Sequence, residues 1–154
     1  MPSDLWRFAE DLYQRPGVEA ACLHLQSQGA DICLLLCGAW LGRRGVSWNA
    51  ERAECLRNGA QFWQREVVSV LRHVRQAWRT AAHDDSALAA LREQVKQLEL
   101  AAERVQLQRL ASLSDHWPTR AAEDLHCWLE ALTPLNTAAD RDALEQLRAA
   151  ALQL

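Results

Sequence analysis

Glycine and proline are scarce, six and four in 154 residues, and the 58 residues from Ala60 to Trp117 contain neither. A gap of that length, filled with Ala, Leu, Arg, Glu and Gln, excludes a turn-rich or sheet-rich segment and predicts two long helices folded back on each other. Long apolar runs are also lacking. The most apolar stretch, Ile32 to Leu41, has ten uncharged residues, about half of what a bilayer-spanning helix requires. It is expected to be a buried core helix, and no membrane partner is expected. The opening Met-Pro-Ser-Asp-Leu-Trp-Arg lacks the basic start and apolar run of a secretory signal, which predicts a mature cytoplasmic protein. Lysine is nearly missing, with Lys96 alone beside 16 arginines, and Phe and Tyr together number three.

Catalytic signatures are absent as well. No glycine-rich phosphate loop, paired-histidine zinc motif or Gly-x-Ser-x-Gly elbow occurs. Five cysteines are an odd number for a disulfide framework. Cys33 and Cys37 lie one turn apart in the most apolar helix, without a second knuckle pair, so buried thiols are expected and neither metal nor cofactor is. His83-Asp84-Asp85 and Asp115-His116 fall at helix boundaries and read as caps and solvated turns.

What is present suits one all-α domain over residues 1–154, with about seven helices around a long antiparallel pair at about 60–113. Ser3 with Asp4 opens a first helix that stops before Pro16, and Val18 to Leu25 repeats the pattern up to Gly29. Asp31 caps the apolar helix, and Ser47 or Asn49 caps a short one over Ala50 to Arg57. Gly59 is either a break or a tolerated interior glycine. Phe62, Trp63, Val67, Val70, Leu71, Val74 and Trp78 then form the face of a helix ending near His83. Asp84-Asp85-Ser86 caps the next one, from Ala87 to about Leu113. Leu125 to Leu132 is closed by Pro134, and Thr137 with Asp140 forms a capping box for the last helix.

The long helix has a second apolar edge at Leu100, Leu107, Leu110 and Leu113. Either the C-terminal helices from Thr119 onward cover it or another copy of the chain does, which makes these four leucines candidate homodimer interface residues. Charge is segregated. The net charge of -3 hides a basic block over residues 43–79, eight Arg against three Glu. Within it Arg65, Arg72, Arg75 and Arg79 can line one side of a helix. Two readings stay open: a surface for a polyanion such as RNA, or a face paired with Glu93, Glu99 or Glu103 on the next helix. The acidic total argues against a general nucleic-acid binder. Seven tryptophans, spread over most of the helices, suit semi-buried junctions.

Asp4-Leu-Trp-Arg-Phe-Ala9, Tyr13 to Leu23, Gly29-Ala-Asp31 and Leu34 to Leu41, with Trp63-Gln-Arg-Glu-Val-Val68, Leu71-Arg72 and the helix around Glu99 to Leu110, resemble a proteobacterial family of short proteins that carry a domain of unknown function. The resemblance implies a bacterial, cytoplasmic setting and no catalytic residues. Such genes are also associated with neighbours for an ATPase of the ribosome-associated ABC type, which makes the ribosome one polyanion to consider. The reading favoured by the sequence is a non-enzymatic interaction or adaptor protein with an unknown protein partner. RNA or ribosome binding through the arginines stands second, and a small-molecule enzyme third.

Overall fold

The computed structural model describes residues 4–154, so the cap expected at Ser3 lies outside the described residues. The helices are α1 (Asp4–Tyr13), α2 (Val18–Ser27), α3 (Ile32–Arg43), α4 (Ala50–Trp63), α5 (Ser69–Ala77), α6 (Ser86–Ser114), α7 (Leu125–Ala131) and α8 (Ala138–Leu152). A π-helical turn, Gln64–Val68, joins α4 to α5 in one continuous rod. Counted this way, the described residues form seven helices and no strand.

Local chemistry sets most of the helix starts. The carboxylate of Asp31 accepts from the Leu34 amide at 3.1 Å, Asn49 from Arg52 at 2.7 Å and Asp85 from Leu88 at 3.1 Å. Thr137 and Asp140 cap each other reciprocally, as a capping box requires. Asp140 is fully buried. Its carboxylate accepts from the Asn136 and Thr137 amides and, across 116 residues, from Nε2 of His24 at 2.8 Å. These bonds, that from Asn136 first, hold it below the usual carboxylate range and tie α8 to α2.

The centre of the fold is α3, whose residues Cys33 to Gly42 are all buried. Around it pack α1, α6, α7 and α8. Two glycines set the closest approaches. A Cβ on Gly42 would stand 2.8 Å from the backbone N and Cα of Leu125, so α7 crosses α3 almost backbone to backbone. Gly45, at φ 80°, turns the chain so that its carbonyl accepts from the Ala121 amide at 2.9 Å and holds the segment leading into α7. Trp128 is fully buried beside it and donates its indole N–H to the Val46 carbonyl at 2.8 Å. No described helix is long and apolar enough to cross a membrane.

The structure corrects three expectations. The short helix expected over Ala50 to Arg57 is part of the first limb, which runs from Ala50 through Gly59 as an interior glycine with the Leu113 side chain beside it. The limb ends at Ala77 instead of near His83, where a short 3-10 turn, Ala81–His83, follows. The leucine edge is not an exposed interface either. Leu107 and Leu110 are 3% and 1% exposed, Leu113 is partly buried against the same core, and only Leu100 is open to solvent. Helices α1, α3 and α4 cover that edge, whereas the C-terminal helices pack on α2 and α3.

Replacing Gly42 by Ala should cost about 1–3 kcal/mol, because the added methyl meets backbone that cannot swing aside. Gly59→Ala should be nearly neutral: its methyl presses only on the flexible end of Leu113, and alanine gains up to about 1 kcal/mol of helix propensity. Denaturant unfolding of the two variants measures the difference, and equal losses would contradict the close α3–α7 approach.

Candidate functional site

Burial is uneven along the long hairpin. α5 has no buried residue, and the first buried residue of α6 is Glu99. Ser69–Ala77 and residues 86–98 therefore form a two-helix arm beyond the core. Leu71, Val74 and Trp78 on one helix, with Leu88 and Val95 on the other, are half-buried and mark its seam. Polar contacts tie the two limbs to each other at the arm's base and within it. Trp63 donates its indole N–H to the Ala102 carbonyl at 2.8 Å, and Nε of Arg92 donates to the Arg75 carbonyl at 2.8 Å.

One flank of the arm is ionic. Glu99, 5% exposed, accepts from Nε of Arg75 at 2.6 Å and from Nε of Arg72 at 3.3 Å. The bond to Glu99 raises the Arg75 guanidinium above its ordinary range. Glu103, one turn further on, reaches Arg72 only at 3.7 Å. Burial and the neighbouring Glu99 charge push its carboxyl up to about 7. Asp31 stands near this cluster. Its second oxygen accepts from Nε2 of the buried Gln106 at 2.7 Å, and burial raises its carboxyl as well.

The four arginines expected on one line are thus divided. Arg72 and Arg75 are turned onto Glu99, Arg65 pairs with Glu66 at 2.8 Å, and Arg79 is exposed. The π turn is part of the reason: it inserts one residue and rotates Arg65 by about 100° against the others. For Arg72 and Arg75 to take up phosphates they would have to leave a buried carboxylate unpaired. Other arginines have a use that the sequence did not reveal. The guanidiniums of Arg44, Arg109, Arg104 and Arg52 lie over Trp40, Trp63, Trp6 and Trp117 at 4.1, 4.1, 4.6 and 5.4 Å from the ring centroids.

The other flank is apolar. Val70, Leu91 and Leu98 on the arm are 50, 51 and 57% exposed, and Phe62, in α4 at the arm's base, is 63% exposed. Leu91 and Leu98 are seven residues apart and share one side of α6. Val70 lies about 140–200° around its helix from Arg75 and Arg72, on the side away from the ion pairs. Phe62 is eight residues from Val70, about 80° around an ordinary helix, and the residue inserted by the π turn narrows this to about 20°.

An open groove of about 590 Å³ between the α2–α3 turn and the π turn is lined by Asp31, Arg57, Gln61, Gln64, Ser69 and Arg72 among others. Its inner guanidiniums are engaged: Arg57 with Glu54 and the Ala131 carbonyl, Arg72 with Glu99. Cys33 and Cys37 are buried, and burial pushes both thiols up. Among the described residues no group of three or more His, Cys, Asp or Glu is placed to hold a metal ion.

Arg75→Ala should cost about 2–4 kcal/mol, since it strips a buried carboxylate of its best partner, whereas Arg79→Ala should stay within about 0.5 kcal/mol. Thermal melts of the two compare them directly. Glu103 has a raised folded-state pKa, so the native state holds a proton that the unfolded chain has lost. Its contribution to stability therefore falls as pH rises from about 4.5 to about 7 and stays lost above. Glu103→Gln should be more stable than the parent at pH 8 by roughly 1–2 kcal/mol, allowing for partial exposure, and level with it at pH 4. A melting-temperature difference between the two proteins that did not grow with pH would contradict this assignment.

No curated protein and no solved structure matches the chain. A family model described as "Protein of unknown function (DUF2390)" matches residues 4–110, which span α1 to α5 and most of α6 and so include the arm, its ionic flank and its apolar flank. The chain belongs to that family.

Proposed function

We propose that this chain is a non-enzymatic interaction protein of the bacterial cytoplasm that docks a protein partner through the apolar flank of its arm. The observation that carries this reading is the uneven burial of the hairpin. A helix pair normally turns its apolar residues to the core, yet three of the nine large exposed hydrophobics fall on this flank and a fourth, Phe62, at its base. Such a patch marks an interaction site more often than a bare surface. Each of these side chains, already about half covered, would contribute roughly 1–1.5 kcal/mol more if fully buried by a partner. The Glu99 ion pairs support the reading too, because they fix the two helices and so lower the ordering cost of docking.

Leu91→Glu with Leu98→Glu should keep the helix content and stability of the parent, since both side chains are more than half exposed. Affinity capture from nuclease-treated native extract should enrich a protein on the parent chain and lose it on this variant. Equal capture by both would contradict docking at the flank. Capture that nuclease abolishes and the leucine changes leave intact would move the assignment to a polyanion and to Arg65 and Arg79.

A further inference from the structure

We infer that the partner taken by the arm is a second copy of this chain, docked flank to flank about a two-fold axis so that two helix pairs close into a four-helix bundle. The inference rests on the docking reading above and names its occupant. A two-helix layer that is ionic on one side and apolar on the other is half of such a bundle. A second copy supplies the missing half with the same length, spacing and chemistry.

Charge decides for a copy over an unlike partner. In a two-fold contact each surface meets itself, so a flank with net charge would repel its own image. On α6 the stripe Ala87, Leu91, Gln94 and Leu98 is uncharged, while the intervening Arg92, Glu93, Lys96 and Glu99 are all charged and point elsewhere. On the other helix the charges beside Phe62 and Val70 are Glu66 and Arg65, 2.8 Å apart and equal and opposite. The flank along Val70, Leu91 and Leu98 is therefore uncharged and self-compatible, with Arg109, stacked over Trp63, as a charge at its border. Depletion of charge at the centre with a charged border is also the composition of an interface core.

Length sets the expected strength. The stretch from residue 62 to residue 77 is about 24 Å long at 1.5 Å per residue. Two such faces, about 20 Å wide, bury on the order of 1,000 Å² in all, the low end of specific interfaces. The dimer should then be reversible, forming as concentration rises through the micromolar range. The π turn has a definite role in it: without the inserted residue Phe62 would stand about 80° from Val70 instead of about 20°, and the face would lose the half of its length that runs from residue 62 to residue 69.

Light scattering of the purified chain across that range tests the assignment. The mass is expected to rise from one chain to two. Leu91→Gln with Leu98→Gln, which adds no charge and preserves helix propensity, should weaken the association at least about tenfold, and Leu91→Glu with Leu98→Glu should abolish it. Circular dichroism checks that both variants keep the parent helix content. A mass of one chain at every concentration overturns the second copy, as does a dimer that survives both variants. Because capture from extract scores any partner, a monomer whose capture still depends on Leu91 and Leu98 would remove the copy and leave docking at the flank standing.

Discussion

Everything in this structure adjusts to one helix that is too long for its core. At 1.5 Å per residue the 29 residues of α6 reach about 44 Å, while a compact chain of 154 residues is about 38 Å across. The core therefore receives only the second half of α6, where α1, α3 and α4 cover Leu107, Leu110 and Ala111. The first half has α5 and the 3-10 turn Ala81–His83 for company. An antiparallel pair can bury a seam but not two flanks, so solvent must meet one side of the arm or the other. The sequence answers with two different flanks, one ionic and one apolar.

The elements that could be read from the sequence are those fixed by neighbours along the chain. Asp31, Asn49, Asp85 and Thr137 cap their helices with bonds that span three residues, and three residues are enough to recognise a cap. The break-free run from Ala60 to Trp117 likewise announced the hairpin. What escaped the sequence depends on contacts between distant residues. That the space beside Gly59 is taken by Leu113, 54 residues later, is one such contact. Periodicity marks Leu107 and Leu110 for burial without saying that α1 and α3 would do the covering. Phe62 and Val70 share the apolar face that periodicity marks, but that they stay 63 and 50% exposed depends on which distant elements fail to cover them. The candidate site was therefore visible only in part: its arginines were found, their partner Glu99 stood among several possibilities, and the apolar flank was missed.

The scarcity of lysine also has a structural counterpart. Four guanidiniums lie over indole faces, and two more share one carboxylate. A planar, delocalised cation can stack and bind in a fork, whereas an ammonium is a compact, strongly hydrated charge. At these six positions lysine would not substitute, whatever the origin of the overall bias.

The ionic flank explains why the apolar one can remain exposed. Left to the hydrophobic effect alone, Val70, Leu91 and Leu98 would favour rotating both arm helices until these residues reached the seam. That rotation would carry Arg72, Arg75 and Glu99 apart and turn them to water, losing the charge-assisted bonds at 2.6 and 3.3 Å that now hold them, at about 1.5–3 kcal/mol each. Burying the three side chains would gain a comparable amount at most, since each is already about half covered. The seam would also lose Leu71, Val74 and Trp78 to solvent in exchange. The ion pairs thus act as a rotational stop, holding the apolar residues where the chain itself cannot cover them and a docked partner can.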